Sequence, residues 1–247
     1  MKIKGILFDK DGTLIDFFGL WAEAAKKVIP EFIRHNHLEE YQKLDLLLYE
    51  SIGVYGEEID PNGGLAYKSY DEIAKDMKAA LEKRKIKMDE TEIEEQIKVL
   101  FYKNTQGEDA NIVPITELVE LFEKLKEKKV YIGLATADTK QSAEMCMKKL
   151  GVLEYLDYIG ADDGIRRPKP YPDMLLDFAE KNGIRPEEVL VAGDTKNDMI
   201  FAEKSGAISV GVLSGVSREK DLISFADYII PSVKEIPVLL NSMEREG

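Results

Sequence analysis

The chain has almost no cysteine and no long apolar stretch. Cys146 is the only cysteine in 247 residues, so no disulfide can form within the chain. It stands between two methionines in an apolar helical context, which favours a core position over a nucleophile. No apolar run approaches the length of a membrane span, and the first residues contain no apolar signal region. From these absences we expect a cytoplasmic protein that does not enter a membrane.

The chain also lacks an excess of positive charge, because acidic residues outnumber basic ones. The chain has 34 Lys and Arg against 47 Asp and Glu, a net charge of −13. A nucleic-acid surface needs a basic stripe, so we expect none here and attribute most of the charge to solubility. The two histidines, His35 and His37, lie two residues apart and would not share a helix face, so we do not interpret them as metal ligands.

Two carboxylates stand out near the start of the chain. An apolar segment, residues 3–8, predicts a buried strand, and Asp9 and Asp11 follow it directly, then Gly12. Ligands of open α/β sheets bind at the carboxyl ends of strands, where a hard cation such as Mg²⁺ relieves the repulsion between neighbouring carboxylates. An Asx turn closed by Asp-Gly explains the same residues without chemistry. The residues alone leave both interpretations open.

The next part of the chain is rich in helix formers and charge, with little sign of strands. Apolar residues at helical spacing predict four helices, and a stretch rich in Gly, Pro and Asn, residues 53–64, predicts a loop between the second and third. The predicted helices cover residues 19–35, 39–52, 66–84 and 90–102.

Beyond residue 114, helical and apolar segments alternate, which is typical of an α/β fold. Polar residues follow several of the predicted strands: Thr136 follows 130–135, and Asp194 follows 189–193. Lys169 lies between two prolines that stiffen its backbone, and Asp198 lies near the start of a helix. A helix cap is the alternative role for Thr136 and Asp198, and a plain loop lysine is the alternative for Lys169.

Four of these segments together resemble the motifs of one family. Asp9-Lys10-Asp11-Gly12-Thr13-Leu14-Ile15-Asp16 resembles the first motif of the haloacid dehalogenase-like superfamily of phosphatases and phosphotransferases. Thr136 after its strand is similar to the second motif, Pro168-Lys169-Pro170 to the third, and Asp194 to Asp198 to the fourth. The motifs occur in order, and the resemblance spans nearly the whole chain except the helical block.

The resemblance implies a Rossmann-like α/β core with a parallel sheet and an inserted, all-helical cap domain. We assign residues 1–16 and 106–247 to the core and 17–105 to the cap, with hinges near 16–20 and 106–114.

Several side chains of the predicted cap are candidates for contact with a substrate. Phe17, Phe18 and Trp21 either line the cleft or belong to the core, and we expect a core position for at least two of them. Tyr55, Lys68 and the 53–64 loop are candidates for substrate selection, although for any single one of them we expect a plain surface role.

The resemblance also implies a mechanism. Asp9 would attack phosphorus to form an aspartyl-phosphate, and Asp11 would act as the general acid and base. The side chains of Thr136 and Lys169, with backbone N–H groups from Lys10 to Gly12, would hold the phosphoryl oxygens. Mg²⁺ would lie on Asp9, the Asp11 carbonyl, Asp194 and Asp198. The implied activity is a Mg²⁺-dependent phosphatase for a small phosphorylated metabolite of the phosphoglycolate or sugar-phosphate type.

Two alternative activities remain open. A sugar-phosphate mutase of the β-phosphoglucomutase type would use the same residues, and a phospho-binding module would use them without turnover. Asp11 disfavours the dehalogenases, which lack an acid at the equivalent position. Lys10 is similar to a residue of cation-pumping ATPases, but Asp11 departs from their pattern. We expect the Lys10 side chain to point towards substrate or into solvent.

Overall fold

The fold is described from a computed structural model, which covers residues 2–56, 58–106 and 112–246. The chain divides into two compact units, one of Met1–Phe17 with Ile112–Gly247 and the other of Phe18–Asn111. The predicted domain boundaries, after residues 16 and 105, come shortly before these divisions. The predicted hinge at 106–114 lies partly outside the described residues, and a capping role for the helical unit stays a prediction.

Strand β1 (Gly5–Phe8) opens the first unit, and the second unit is mainly helical. A π-helical turn, Phe18–Ala22, leads into its first α-helix. Among the helices of the described residues, none is long and apolar enough to cross a membrane. The α-helices of this unit are α1 (Glu23–His35), α2 (Leu44–Ser51), α3 (Gly64–Tyr67), α4 (Tyr70–Lys83) and α5 (Glu90–Gln106).

The predicted loop at residues 53–64 contains a small antiparallel hairpin, so that prediction is wrong. Strands β2 (Val54–Tyr55) and β3 (Glu58–Ile59) pair within it. The flanking glycines close the hairpin: Gly53 has φ +85°, and a Cβ on it would lie 2.6 Å from the Cα of Gly63. Strands of two residues carry too little pattern for sequence analysis to detect.

One predicted helix is split in two, and another begins later than expected. The predicted 66–84 helix is split, because Ser69 starts a new helix through a capping box in which its N–H donates to Glu72 at 3.2 Å. The predicted 39–52 helix starts at Leu44, since Lys43 adopts a left-handed conformation with φ 58°.

The aromatic residues at the start of the insert differ in burial. Phe17 and Trp21 are buried, and the Trp21 ring lies 5.6 Å from that of Phe101, whereas Phe18 is 40% exposed. Two of the three therefore occupy core positions, as expected. Of the proposed selection residues, Tyr55 is exposed and Lys68 forms an ion pair with Asp76 at 2.6 Å.

The first unit is built on a six-stranded, wholly parallel sheet in the order β5-β4-β1-β6-β7-β8, and the predicted α/β fold is confirmed. Its remaining elements are α6 (Leu118–Glu127), β4 (Tyr131–Thr139), α7 (Lys140–Lys149), β5 (Tyr158–Asp162), α8 (Asp173–Asn182), β6 (Val189–Gly193), α9 (Lys196–Ser205), β7 (Ile208–Val212), α10 (Glu219–Leu222), β8 (Tyr228–Ile230) and α11 (Ile236–Glu246).

Helices cover both faces of this sheet. Phe8 belongs to the core cluster that includes residues of α6, α7 and α11, while the neighbouring Leu7 belongs to the cluster with α8 and α9. Because both faces are buried, β1 and β6 are apolar at every position rather than alternating. Cys146 is buried in the first cluster, as predicted.

The register of the sheet brings the predicted motifs to one edge. Phe8 pairs with Leu134 of β4 on one side and with Ala192 of β6 on the other. Thr136 and Asp194 each lie two residues beyond these partners. Since the strands are parallel, the residues that follow them meet at the carboxyl edge of the sheet.

At the amino-terminal edge of the sheet, the Glu188 carboxylate connects the segments that precede β1 and β6, and its pKa is strongly lowered. Glu188 accepts from Lys4 at 2.8 Å and from the Arg185 N–H at 3.0 Å. The Lys4 contact is the largest of the effects that lower the pKa of Glu188 to about 2. A lowered pKa means that this carboxylate stabilises the fold above its unfolded pKa, and that the stabilisation fades as pH falls towards 2.

We therefore expect Glu188→Gln to destabilise the protein at neutral pH and to matter less in acid. The measurement is the urea midpoint of wild type and variant at about pH 6 and about pH 3, since unfolded Glu titrates near pH 4.3. The gap between the two proteins should shrink at the lower pH. Glu187→Gln, at an exposed neighbouring site, is the control. A gap that stays constant or grows in acid contradicts the assignment.

Candidate active site

The segment after β1 is a tight turn that presents Asp9. The Asp9 N–H donates to the carbonyl of Ala192 at 2.8 Å, which extends the β1–β6 ladder by one residue. The chain then folds back, because the N–H groups of Leu14 and Ile15 both donate to the Lys10 carbonyl, at 2.9 and 3.1 Å. The Asp9 carboxylate is thus fixed at the end of the central strand.

Glycines let two backbone segments approach Asp194 and a third approach Asp198. Gly12 has φ +84°, and a Cβ on it would lie 2.5 Å from Oδ2 of Asp194. A Cβ on Gly215 would lie only 1.9 Å from the same oxygen, and one on Gly193 would overlap Asp198. No side chain fits at these positions, so glycine is required by the close packing around the buried carboxylates.

Lys169 lies between two carboxylates. Its Nζ is 2.6 Å from Oδ1 of Asp9 and 2.6 Å from Oδ1 of Asp198, and all three side chains are largely buried. Burial alone would lower the pKa of Lys169, but Asp198 and Asp9 more than offset it, so the pKa is raised and the side chain stays an ammonium. The predicted meeting of Lys169 with the first and fourth motifs is present in the structure.

Asp198 caps a helix and holds Lys169 at once. Its Oδ2 accepts from the N–H of Thr195 at 3.1 Å and from the Thr195 hydroxyl at 2.5 Å, which forms the capping box of α9. Its Oδ1 accepts from Lys169. The capping role that the sequence allowed for Asp198 is therefore present, together with a contact to Lys169 that the sequence analysis did not assign to it.

The Asp194 carboxylate is hydrogen-bonded through only one of its two oxygens within the described part of the chain. It is 1% exposed, and its Oδ2 accepts from the Val216 N–H at 2.8 Å. Its Oδ1 is buried without a hydrogen-bond partner among the residues the structure describes. A buried unsatisfied carboxylate oxygen is costly unless a ligand meets it.

Asp9, Asp194 and Asp198 fit the needs of a hard cation. Each offers one oxygen, and these oxygens lie within 4.8 Å of one another. Burial raises the pKa of Asp9 to about 7, an effect opposed by Lys169 but reinforced by the neighbouring Asp198 and Asp11. Burial and the same clustering raise the pKa of Asp194 well above its usual value. A divalent cation on oxygen ligands would remove this conflict.

Thr136 lies at the same edge, but the strand that carries it is longer than predicted. β4 continues to Thr139, with an irregular register between Ala135 and Thr139 where it pairs with β5. The Thr136 Oγ1 accepts from the Asp138 N–H at 3.1 Å. The following helix is capped by Thr139, whose side chain accepts from the Ser142 N–H.

Two predictions about the first motif are wrong. The Lys10 side chain points neither to solvent nor to an open pocket, because it is fully buried and paired with Asp11 and Asp138, each at 2.9 Å. The N–H of Gly12, predicted to hold phosphate, donates instead to the Ile15 carbonyl at 2.8 Å, as the tight turn demands.

Two further contributions were missed by the sequence analysis. The side-chain amide of Asn197 donates to the Lys169 carbonyl at 3.2 Å, and the Ser214 hydroxyl donates to the Gly12 carbonyl at 2.8 Å. The Ser-Gly pair after β7 was the available signal, because small residues at the end of a parallel strand permit close approach.

Comparison with known proteins agrees with this geometry. Residues 3–206 match the family model of haloacid dehalogenase-like hydrolases. The chain belongs to this family. The resemblance inferred from the four motifs is thereby confirmed, and the motifs all fall within the matched residues.

Relatives within the haloacid dehalogenase-like hydrolases carry different names. The chain is similar to pyrophosphatase PpaX of Bacillus cereus (strain AH820), with 24% identity over 99% of this chain and 100% of the relative. It is similar to phosphoglycolate phosphatase of Shigella boydii serotype 4 (strain Sb227), with 26% identity over 95% of this chain and 91% of the relative.

A solved structure shares the fold. The β-phosphoglucomutase from Clostridium difficile superposes with a TM-score of 0.67 at 17% identity, covering 98% of this chain and 99% of its own. At this identity the likeness establishes the fold and not the reaction.

The packing around Asp194 predicts the effect of one added methyl group. Gly215→Ala should displace the Asp194 carboxylate and weaken Mg²⁺ binding about tenfold or more, the range typical of changes beside a metal ligand. The measurement is thermal unfolding during a titration with MgCl₂, since a cation that binds only the folded protein raises its melting temperature.

The matched control for this test is Gly64→Ala, where the nearest atom to the new Cβ is 3.4 Å away. A folded Gly215→Ala protein with the Mg²⁺ response of wild type would refute the role assigned to Asp194.

Proposed function

We propose that this protein is a Mg²⁺-dependent phosphatase that hydrolyses a small phosphomonoester through an aspartyl-phosphate. The observation that carries the proposal is the buried cluster at the carboxyl edge. There Lys169 is held between Asp9 and Asp198, and one oxygen of Asp194 has no hydrogen-bond partner in the described part of the chain. One cationic side chain, that of Lys169, and the carboxylate oxygens of Asp194 and Asp198 thus surround the Asp9 carboxylate. This arrangement suits transfer of an anionic phosphoryl group.

Asp9 is assigned as the nucleophile. Its carboxylate attacks phosphorus, the bond from phosphorus to the leaving oxygen breaks, and an aspartyl-phosphate forms. The position of Asp9 at the end of the central strand supports this role, since the strand before it is paired on both sides and the Asp9 N–H donates to the Ala192 carbonyl. Lys169, in contact with Asp9, neutralises charge that the incoming phosphoryl group adds.

Asp11 is assigned as the general acid and base. It gives a proton to the leaving oxygen in the first step, and in the second it takes one from the water that attacks the aspartyl-phosphate. Its side chain is 16% exposed, so water and a leaving group can reach it. A second carboxyl group two residues from the nucleophile is the feature that separates hydrolysis of phosphate esters from dehalogenation.

Residues for the metal and the phosphoryl oxygens are assigned from the same edge. Asp9, Asp194 and the Asp11 carbonyl would hold Mg²⁺, with Asp198 beside them. The ion supplies positive charge that stabilises the transferring group. Thr136, Lys169 and the N–H groups of Lys10 and Asp11 would hold the phosphoryl oxygens.

The names of the relatives guide the choice of substrates. One is a pyrophosphatase and another a phosphoglycolate phosphatase, and the solved structure of similar fold is a mutase. We favour an organic phosphomonoester of the phosphoglycolate or sugar-phosphate type. A sugar-phosphate mutase remains the second candidate, because it would use the same set of residues.

A panel assay separates these activities. Phosphate release is measured with Mg²⁺ on phosphoglycolate, several sugar phosphates and pyrophosphate, and the sugar phosphates are also followed for isomerised product. Selective release from one phosphomonoester supports the proposal. Preference for pyrophosphate, or isomerisation without release, would replace it with the corresponding alternative, and binding without either product would indicate a phospho-binding module.

The nucleophile assignment predicts the effect of a single isosteric change. Asp9→Asn should lower turnover on the order of 10⁴-fold or more, because the amide cannot form the covalent intermediate. The measurement is steady-state phosphate release, with acid-stable labelling of the protein by phosphate as a second readout. Asp45→Asn, at an exposed position of the helical unit, is the control. Retention of more than a few per cent of wild-type turnover by Asp9→Asn would rule out this nucleophile.

A further inference from the structure

Lys10 is a buried ammonium group that the mechanism above does not use. It is 0% exposed, and its Nζ lies 2.9 Å from Oδ2 and 3.2 Å from Oδ1 of Asp11. Burial would lower the pKa of Lys10, but Asp11 and then Asp138 outweigh it and raise the pKa well above its usual value. The side chain is therefore a permanent cation in contact with both oxygens of the Asp11 carboxylate.

Asp138 fixes the other side of this cation. Its Oδ2 lies 2.9 Å from the Lys10 Nζ and also accepts from the Ser142 hydroxyl, while its Oδ1 accepts from the Thr139 N–H at 2.7 Å. Thr139 is the cap of α7, and Ser142 lies in the first turn of that helix. Asp138 is thus tied to a regular element of the fold rather than to a loop.

The contacts form a continuous path from α7 to the first motif. Asp11 lies in a turn outside any strand or helix, so the sheet does not by itself fix the direction of its side chain. The ammonium of Lys10 supplies that direction by contacting both carboxylate oxygens. Charge-assisted hydrogen bonds of this kind are short and directional, and proton transfer depends on geometry before all else.

We propose that Lys10, anchored by Asp138, is a positioning residue that holds the Asp11 carboxylate for the hydrolysis step. This inference rests on the proposed function. In that step the water oxygen bonds to phosphorus, the bond from phosphorus to the Asp9 oxygen breaks, and the proton from water passes to Asp11. Transfer of that proton requires an Asp11 oxygen within hydrogen-bond reach of the water, so the direction of the carboxylate limits this step.

The test is pre-steady-state hydrolysis of p-nitrophenyl phosphate with Mg²⁺ present. The nitrophenolate leaves with little need for an acid, so its initial burst reports formation of the aspartyl-phosphate, and the steady rate reports attack by water. For Lys10→Met and for Asp138→Asn we expect the steady rate to fall on the order of 10- to 100-fold, as misplacement of a catalytic group does. The burst should keep its rate, with about one nitrophenolate released per enzyme molecule.

A merely structural role would give a different result. Loss of folded protein or general distortion lowers the burst and the steady rate by the same factor, and that outcome, or no change in either, would overturn the inference. If Lys10→Met does not fold, Asp138→Asn decides the question, because asparagine keeps the shape of the side chain. Lys148→Met, at an exposed position on the same helix, is the matched control.

Asp11→Asn separates this inference from the function on which it rests. It should show the burst with a steady rate lower than that of either positioning variant. If Asp11→Asn turns over like wild type, the acid–base assignment itself fails, whatever Lys10 does. If Asp11→Asn behaves as expected while Lys10→Met and Asp138→Asn both resemble wild type, the function stands and the positioning role is refuted.

Discussion

The site depends on an imbalance of buried charge. Asp9, Asp194 and Asp198 bring their oxygens together at one edge of the sheet, and Lys169 contacts two of the three. Carboxylates in a protein interior repel one another and lose hydration, so an excess of them is unfavourable in a fold without a ligand. The protein keeps the excess by fixing each group: Asp198 by a helix cap, Asp194 by a backbone N–H and Asp9 by the central strand. As a consequence, the cluster attracts a cation. An anionic group is then attracted to the space between that cation and Lys169.

A second buried charge cluster lies beside the first and is arranged differently. Lys10 stands between Asp11 and Asp138, and in this group the ammonium contacts carboxylates on both sides while a helix terminus holds the outer one. In the first cluster, Asp194 Oδ1 has no hydrogen-bond partner among the described residues and is available to a ligand. In the second cluster, the Lys10 ammonium and the two carboxylates contact one another. An overall acidic protein thus places two lysines with largely buried side chains within the turn and loop that surround one strand end.

The sequence was sufficient to predict the strands that are followed by functional side chains. It was insufficient to predict the contacts between those side chains. Asp9 and Asp194 each follow an apolar strand, so parallel pairing alone predicts that they meet, and the order of the four motifs led to the family that the comparison confirms. The partner of Lys10 was not predictable, because Asp138 is remote in sequence and its position depends on an irregular end of β4. The loop after β7 was missed for the same reason, since its contact with Asp194 runs through a backbone N–H that no residue type reveals. In the helical block, the hairpin and the break at Ser69 were missed because each rests on only a few residues.

The central position of β1 has a consequence for the order in which the molecule is made. This strand is synthesised before both of its partners, which begin only at Tyr131 and Val189, beyond the whole of the helical unit. The helical unit has its own internal contacts and can acquire structure while β1 still lacks both neighbours. β1 therefore stays without either neighbour until β4 and β6 have been synthesised, and the carboxylate cluster is complete only after the loop that follows β7 has been made as well. Long-range pairing of this kind slows assembly, and it leaves an apolar strand dependent on protection during translation.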